Sequence, residues 1–488
     1  MATIATIITF IVYLIFLLAI GLFFYKRTNN IEDYLLGGRS MGVWVTALSA
    51  QASDMSGWLL MGLPGAIFLY GLGQSWIAIG LLIGTVLNWI LVAPRLRVYT
   101  ERTSSLTLSS FFESRFKDPT GLLRIISAII TLIFFTIYAS SGMAGAGKLF
   151  EAMFNIPYTY AVIGGCFVIV LYTFLGGFLA VCWTDLFQGA LMFFSIIIVP
   201  IFALFNHGGF DAVTLAADAK DISMSLFDTN SGVMGIVAII STMAWGLGYF
   251  GQPHILARFM SIKNVKELSR STVIATVWVV ISLFGAILVG LIAIAMYPEA
   301  PGGDAEKVFI YMISDLFNPW VGGILLAAIL SAIMSTIDSQ LLVSSSALTE
   351  DFYQKIIKHD ASEKELIWVG RWCVIIISFI AMVLALNPKS SILSLVSYAW
   401  GGFGAAFGPV VLMALFSKKT TWKSALSGMV TGAIVCVLWK EVGLGSLMYE
   451  IVPGFIANFL VIVIINKFSP QVDSTILDEF KSVVESLK

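Results

Sequence analysis

The sequence has little charge, and the charges that it has nearly cancel. Only 12% of its 488 residues are Asp, Glu, Lys or Arg, and the formal net charge is −1. Soluble domains carry about a quarter charged residues, so this composition excludes an ordinary soluble fold. Because no basic stripe is present, we expect no nucleic-acid partner.

Cysteine and histidine are also scarce. The four cysteines lie far apart inside apolar segments, at Cys166, Cys182, Cys373 and Cys436. We interpret them as small buried thiols that pack between helices. The three histidines sit at the ends of apolar segments without the spacing of a metal site, and we assign them no role.

Long apolar segments are abundant. Hydrophobic residues make up 58% of the chain, and about 13 segments approach the ~20 residues that cross a bilayer as a helix. We therefore predict an all-α protein embedded in the lipid bilayer. The predicted spans lie near 5–25, 42–70, 74–93, 122–148, 158–180, 184–206, 233–253, 271–297, 318–347, 367–387, 391–416, 423–442 and 446–466.

Lys and Arg residues are unevenly distributed over the connecting loops, which predicts the orientation. If Lys26 and Arg27 face the cytoplasm, most other loop cations, including Arg39, Arg95 and Arg258, face it too. The opposite loops keep only Lys148, Lys220, Lys307, Lys389 and Lys440. We expect the N-terminus outside and the C-terminal tail in the cytoplasm.

The second span contains an unusual stretch, QASDMSGWLLMGLPGA, from Gln51 to Ala66. Ser and Asp compete for backbone hydrogen bonds, Gly leaves the backbone loose, and Pro64 removes a donor. Exposed backbone groups at bilayer depth are tolerated only where they line a cavity or bind something. We predict an unwound segment whose carbonyls bind a cation. The alternative is a proline-kinked helix used for packing.

The seventh span contains a second stretch of this kind, STMAWGLGYFGQPH, from Ser241 to His254. It lies an odd number of spans after the first, so the two segments run in opposite directions across the membrane. Paired interrupted helices in corresponding halves indicate a binding site in an inverted-repeat transporter. We assign residues 31–206 and 207–416 to the two repeats. One further helix lies in 1–30, and two accessory helices and a short tail lie in 417–488.

The ninth span carries hydroxyl groups at helical spacing. Ser335, Thr336 and Ser339 share a face with Ala332, and Asp338 lies beside it. Such hydroxyls often bond only to carbonyls of their own helix, which is the alternative interpretation. A set of oxygen ligands suits a hard cation. Sodium fits, and a proton-driven variant stays open.

Several long motifs resemble the sodium/solute symporter family, and within it the sodium/proline symporter branch. They include LGGRSMGVWVTALSAQASDMSGWLLMGLPGA, LYTFLGGFLAVCWTDLFQG, MAWGLGYFGQPHILARFM and SYAWGGFGAAFGPVVL. The resemblance runs in register from about Asp33 to Gly454. It implies the leucine-transporter-type fold, a five-helix inverted repeat with broken helices.

The resemblance also implies site residues. The sodium ligands would be Ala52, Met55, Ala332, Ser335 and Thr336, the first three through main-chain carbonyls. Proline would lie against Ser56, Gly57, Tyr138, Trp245, Tyr249 and Pro253. Asp54 would support the unwound segment, and Arg39 would act in coupling or inner gating. The alternative for Trp245 and Tyr249 is an aromatic belt at the lipid surface.

A second cation or proton site is a further hypothesis. Asp185 matches an aspartate linked in some members of the family to a second sodium position, and Asp338 stands where the proline branch more often has a small hydroxyl residue. We therefore group Asp185, Asp338 and Ser339 as candidate ligands, since carboxylates within a membrane are functional candidates. The alternative is a helix cap at Asp185 and a polar interhelical contact at Asp338.

The function implied is sodium-coupled uptake of L-proline by alternating access, in a bacterial inner membrane. We expect no catalytic activity, no cofactor beyond Na⁺ and no obligatory protein partner. A related solute is the nearest alternative. A channel would need a continuous pore, and a transporter-like sensor would need a long signalling domain, for which the tail after Lys467 is too short.

Overall fold

The computed structural model describes residues 3–25, 30–175, 177–227, 232–469 and 474–487, and their regular structure is helical. The prediction of an all-α protein is confirmed. Lys26 and Arg27, from which the predicted orientation was argued, lie outside the described residues, as does Gly176 of the LYTFLGGF motif.

Eleven helices lie between the N-terminus and the loop before the second break. They are α1 (Ile4–Tyr25), α2 (Ile31–Leu36), α3 (Val43–Asp54), α4 (Leu63–Tyr70), α5 (Ser75–Leu87), α6 (Ala93–Arg102), α7 (Leu108–Phe116), α8 (Leu122–Phe154), α9 (Tyr158–Leu175), α10 (Phe178–Asn206) and α11 (Gly209–Ala219). A π-helical segment, Trp58–Gly62, leads into α4, and another, Asn88–Val92, joins α5 to α6.

The ten helices from α12, which leads into the second break, onward complete the described part of the fold. They are α12 (Gly232–Met243), α13 (Pro253–Ser261), α14 (Leu268–Met296), α15 (Val308–Leu316), α16 (Pro319–Ser346), α17 (Glu363–Ala385), α18 (Ile392–Phe416), α19 (Trp422–Glu441), α20 (Ile451–Phe468) and α21 (Ser474–Ser486). Helix α16 continues as a wider π-helical segment, Ala347–Ile357.

Among the described residues, 11 helical segments are long and apolar enough to cross a membrane. Each coincides with a predicted span. The other two predicted spans correspond to shorter apolar helices: the second is divided at the first break, and the fifth is α9. The structure therefore shows a multi-pass membrane protein, while the count of 13 crossings stays a prediction.

The two interrupted segments lie at the centre of the bundle. Helix α3 packs against α10, α13, α14 and α16, while the segment 244–251 packs between α5 and α18. Close approach depends on small residues. The α-carbon of Gly84 lies so near the backbone of Gly246 that a Cβ would collide with the Gly246 carbonyl. The packing of the bundle thus brings both breaks into its interior.

Candidate functional site

The first break follows directly from the residues that weaken helix. Helix α3 ends at Asp54, and Met55 has φ −81° and ψ 74°, which turns its carbonyl away from the helix direction. The chain resumes with Ser56, whose Oγ accepts a hydrogen bond from the Trp58 amide at 3.3 Å. The predicted interruption of this helix is present, so a helix that is merely kinked at Pro64 is excluded.

Four of the predicted sodium ligands meet where α16 passes the end of α3. The Ser335 hydroxyl donates to the Ala52 carbonyl at 2.7 Å, and the Thr336 hydroxyl lies 3.4 Å from the same oxygen. Both hydroxyls also lie near the Ala332 carbonyl, at 3.3 and 3.2 Å. These hydroxyls therefore contact α3 as well as the carbonyl of their own helix. The fifth ligand, Met55, stands at the break itself.

The second break is a 3₁₀-helical segment, Ala244–Gly251, between α12 and α13. Its conformation is held by α18: the Trp400 indole donates to the Trp245 carbonyl at 2.7 Å. Gly248 faces the same indole, and a Cβ at this position would overlap the ring. Gln252, with φ −84° and ψ 106°, then extends the chain before α13 begins.

A hydrogen bond joins the two breaks. The Tyr249 hydroxyl donates to Oδ2 of Asp54 at 2.5 Å, and the Trp58 indole donates to the Asp54 carbonyl at 3.0 Å. The rings of Trp58 and Trp245 lie 6.2 Å apart. Trp245 is 6% exposed and Tyr249 is 1% exposed, which excludes an aromatic belt facing lipid.

One oxygen of the buried Asp54 carboxylate beside this junction, Oδ1, has no hydrogen-bond partner among the described residues. Tyr138 is close to Ser56 and interacts electrostatically with Asp54. A polar group that is buried without a protein partner is costly, so this position suits the binding of a polar ligand. Gly57 lies at the same place, packed near Ile333 of α16.

Pro253 is placed apart from this group. It lines a small cavity of about 30 Å³ together with residues such as Thr107 and Asp351. The structure therefore brings Ser56, Tyr138, Trp245 and Tyr249 together around the breaks. Pro253 instead lines a cavity beside α7 and α16.

Two residues of the second predicted cation site, Asp185 and Ser339, contact an arginine, Arg258. Oδ2 of Asp185 lies 3.2 Å from the Arg258 guanidinium, and the Ser339 hydroxyl is 2.5 Å from it. Ser49 bonds to both, donating to Asp185 at 2.7 Å and accepting from Arg258 at 3.0 Å. Asp338 is buried on α16 and interacts electrostatically with Tyr13 of α1.

Arg258 was predicted to lie in a cytoplasmic loop, and this prediction is wrong. The residue is fully buried in α13, two turns after the second break. The rule that predicts orientation counts every Lys and Arg near the end of a span as a loop residue. It therefore missed a cation whose side chain points into the bundle and pairs with a carboxylate. An ionisable residue next to an interrupted membrane helix is itself a signal of function, and it could have been noticed.

Arg39 lies at the end of the bundle that we predict to be cytoplasmic. Its guanidinium donates to the carbonyls of Met260 and Ser105, both at 2.8 Å, and of Thr100 at 3.1 Å. It holds this position with φ 50°, in the left-handed region that non-glycine residues rarely adopt. Arg39 thus ties α6 and α13 to the start of α3.

Open cavities lie at the opposite end. One, of about 630 Å³, is bordered by Gly62 and Gly65 of the broken segment and by Glu306. Glu306 accepts hydrogen bonds from the amides of Ile392 and Leu393 at 3.0 and 3.1 Å, at the start of α18. A second cavity, of about 320 Å³, reaches Trp245. We call the end with these cavities the outer end and the Arg39 end the inner end.

Comparison with known proteins identifies relatives along nearly the whole chain. A model of the sodium:solute symporter family matches residues 34–432. The chain is 50% identical to the sodium/proline symporter of Escherichia coli (strain K12), covering 92% of this chain and 90% of that one. It is 48% identical to the high-affinity proline transporter PutP of Bacillus subtilis (strain 168), covering 96% and 100%.

Solved structures show the same fold at low sequence identity. A Na⁺-coupled sialic acid symporter in a substrate-bound, outward-open state superposes with a TM-score of 0.81 at 19% identity, over 96% of this chain and 99% of that one. MhsT in complex with L-phenylalanine gives 0.57 at 15% identity, over 86% and 97%. These likenesses confirm the predicted leucine-transporter-type fold.

Proposed function

The chain belongs to the sodium:solute symporter family, and from that premise we propose that it imports L-proline together with sodium at the junction of its two breaks. Its relatives with about half of their residues identical are proline transporters by name. The observation that carries the placement is the hydrogen bond from Tyr249 to Asp54. It links the two interrupted segments next to the oxygen cluster of Ala52 and α16.

Sodium binds, in this proposal, among the carbonyl oxygens of Ala52, Met55 and Ala332 and the hydroxyls of Ser335 and Thr336. All five donors are uncharged oxygens, which suits a hard monovalent cation better than a softer transition metal. Bound sodium fixes the end of α3 against α16. Fixing the end of α3 also fixes the position of Asp54, which lies two residues after Ala52.

Proline binds next to the ion, on the other side of Asp54. Its charged ammonium and carboxylate groups need polar partners, which the Asp54 carboxylate, the Tyr138 hydroxyl and the backbone of Ser56 and Gly57 supply. The apolar ring needs an apolar surface, which the buried Trp245 and Tyr249 rings supply. Pro253 contributes indirectly, by starting α13 at the end of the second break.

At the second predicted cation position, we propose that Arg258 supplies the positive charge. The guanidinium already neutralises Asp185 and bonds to Ser339. A second sodium ion there would have to displace a cation that is covalently attached to α13. We therefore propose one sodium ion for each proline, bound at the first position.

Transport follows from opening the two ends in turn. We propose that the N-terminus lies outside and the C-terminus in the cytoplasm of a bacterial inner membrane, which makes the outer cavities face the outside. Sodium and proline enter there, and release requires the Arg39 contacts to open. A potential of ~100 mV with a tenfold sodium gradient supplies ~3.7 kcal/mol per ion, enough for several-hundred-fold accumulation.

The experiment is radiolabelled proline uptake into proteoliposomes that hold the purified protein. We expect uptake with sodium outside and little with choline outside, and we expect excess unlabelled proline to abolish it. Uptake that ignores sodium would refute symport. Uptake that another amino acid, pantothenate or a sugar inhibits as well as proline does would refute the substrate assignment.

A further inference from the structure

Tyr449 belongs to a part of the chain that the repeat does not include. It lies in the connection between α19 and α20, the two accessory helices. The family model ends at residue 432, before this connection. Its surroundings nevertheless join it to the second break.

Three contacts fix the Tyr449 position. Its amide donates to the Ser241 hydroxyl of α12 at 2.7 Å, and its own hydroxyl donates to the Ser397 carbonyl of α18 at 2.6 Å. Its ring lies 5.5 Å from the ring of Trp245, tilted by 34°. Tyr449 thus connects α12, which leads into the second break, with α18, which packs against it.

Tyr449 also borders the route to Trp245. Both rings line the outer cavity of about 320 Å³, and Tyr449 is only 6% exposed. Gly401 of α18 lies under the tyrosine ring, where a Cβ would come within 3.1 Å of it. The ring is therefore held in a slot beside Trp245, facing the side from which a solute enters.

We propose that Tyr449 is a lid and specificity residue for proline, supplied by the accessory hairpin. The inference rests on the proposed placement of proline against Trp245. The tyrosine ring covers the outer side of that surface and limits the space there to a five-membered ring. The ring itself covers the route from the outer cavity to Trp245, and movement of the ring away from Trp245 opens that route.

The test compares Tyr449→Ala, Tyr449→Phe and a matched control, Leu447→Ala, in the full-length protein in proteoliposomes. Leu447 lies on the same connection but is 47% exposed. Proline affinity, half-saturating sodium and inhibition by the six-membered homologue, pipecolate, are measured for each.

We expect Tyr449→Ala to weaken proline binding about fivefold, since it removes an aromatic contact. We also expect pipecolate to compete better against proline than in the unmodified protein, with sodium dependence at saturating proline unchanged. Tyr449→Phe keeps the ring and loses only the bond to Ser397, so it should keep the selectivity of the unmodified protein. Leu447→Ala should change nothing.

The lid is refuted if Tyr449→Ala binds proline and pipecolate as Leu447→Ala does, or if Phe and Ala variants lose affinity equally with unchanged selectivity. The second result would show that the tyrosine only fastens the hairpin. Should Tyr449→Ala not reach the membrane, Tyr449→Leu carries the same expectations. Failure of the unmodified protein to bind proline would instead refute the proposed function.

Discussion

The hydroxyls of Ser335 and Thr336 extend from α16 to the Ala52 carbonyl. A variant that removes one hydroxyl without changing the packing can therefore show the effect on ion binding separately from any effect on folding. Replacing Thr336 by the equally shaped valine removes one ligand and little volume. Losing one oxygen ligand should raise half-saturating sodium by about tenfold, which corresponds to ~1.4 kcal/mol. Proline uptake at varied sodium measures this.

The control for this variant is Ser346→Ala on the same helix. Its hydroxyl bonds back to the Leu342 carbonyl at 2.8 Å, so it resembles Thr336 in burial but not in the contact with α3. Equal sodium dependence in both variants would contradict the assignment of Thr336 as a ligand.

The second prediction concerns the stability that the buried ion pair between Arg258 and Asp185 contributes. Arg258→Gln leaves a buried carboxylate without its partner, and such changes cost about 3–5 kcal/mol. Adding Asp185→Asn removes the stranded charge and should restore much of the thermal stability. Unfolding of the single and double variants in detergent measures the coupling.

The single variant Asp185→Asn tests whether Arg258 takes the place of a second sodium ion. If Asp185 and Ser339 hold a sodium ion in the unmodified protein, Asp185→Asn alone should change the sodium stoichiometry of transport. We expect that it does not. A Hill slope for sodium near two in the unmodified protein that falls in Asp185→Asn would contradict the single-ion account.

At the scale of elements, the second break depends on close packing between segment 244–251 and α18. Gly248→Ala places a methyl group where the Trp400 indole lies. The indole must move, which breaks its bond to the Trp245 carbonyl. Overpacking of this kind costs about 1–3 kcal/mol, and we expect lower thermal stability with weaker proline binding.

Gly164→Ala in α9 is the matched control, since nothing lies within 4 Å of a Cβ there. It should keep the proline affinity and thermal stability of the unmodified protein. If Gly248→Ala behaves in the same way, the 3₁₀ geometry is not needed for the site.

The positions of both breaks could be predicted, because glycine, proline, serine and aspartate weaken helix through local effects that the sequence displays. The bond from Tyr249 to Asp54 could not, since these residues are 195 positions apart. Nothing in local composition specifies which atoms meet at such a distance. The inward direction of Arg258, by contrast, had a signal in the sequence, because this residue directly follows the second interrupted helix.

At the scale of the whole molecule, hydropathy predicted the long helices because each must be apolar over its full length. It gave no information on tertiary contacts of short polar connections. The Arg39 contacts and the position of Tyr449 belong to such connections, and both were found only from the structure. The resemblance indicated Arg39 as a candidate gating residue, but it did not predict the three carbonyls to which Arg39 donates.

A variant of Arg39 tests the alternation between the outward-open and inward-open states. Arg39→Gln removes charged donors from three carbonyls at the inner end and should favour inward opening. A cysteine introduced at Ser109, which is buried and lines the small cavity with Pro253, should then react about fivefold faster with a thiol reagent added from inside.

The four native cysteines, which are buried, are replaced by serine in all these variants, so that only the introduced thiol is labelled. A cysteine at Ser394, in the outer cavity, serves as the control and should not become more reactive. Equal reactivity at Ser109 with Arg39 present or replaced would mean that Arg39 does not close the inner end.

The central claim is that sodium and proline bind at one junction and strengthen each other. Its most direct test is the dissociation constant of proline for the purified protein, measured by calorimetry at low and at saturating sodium, with and without Thr336→Val. We predict that sodium tightens proline binding at least about fivefold and that most of this effect is lost in the variant. Proline affinity that is independent of sodium, or a sodium effect that is the same in Thr336→Val, would contradict the account.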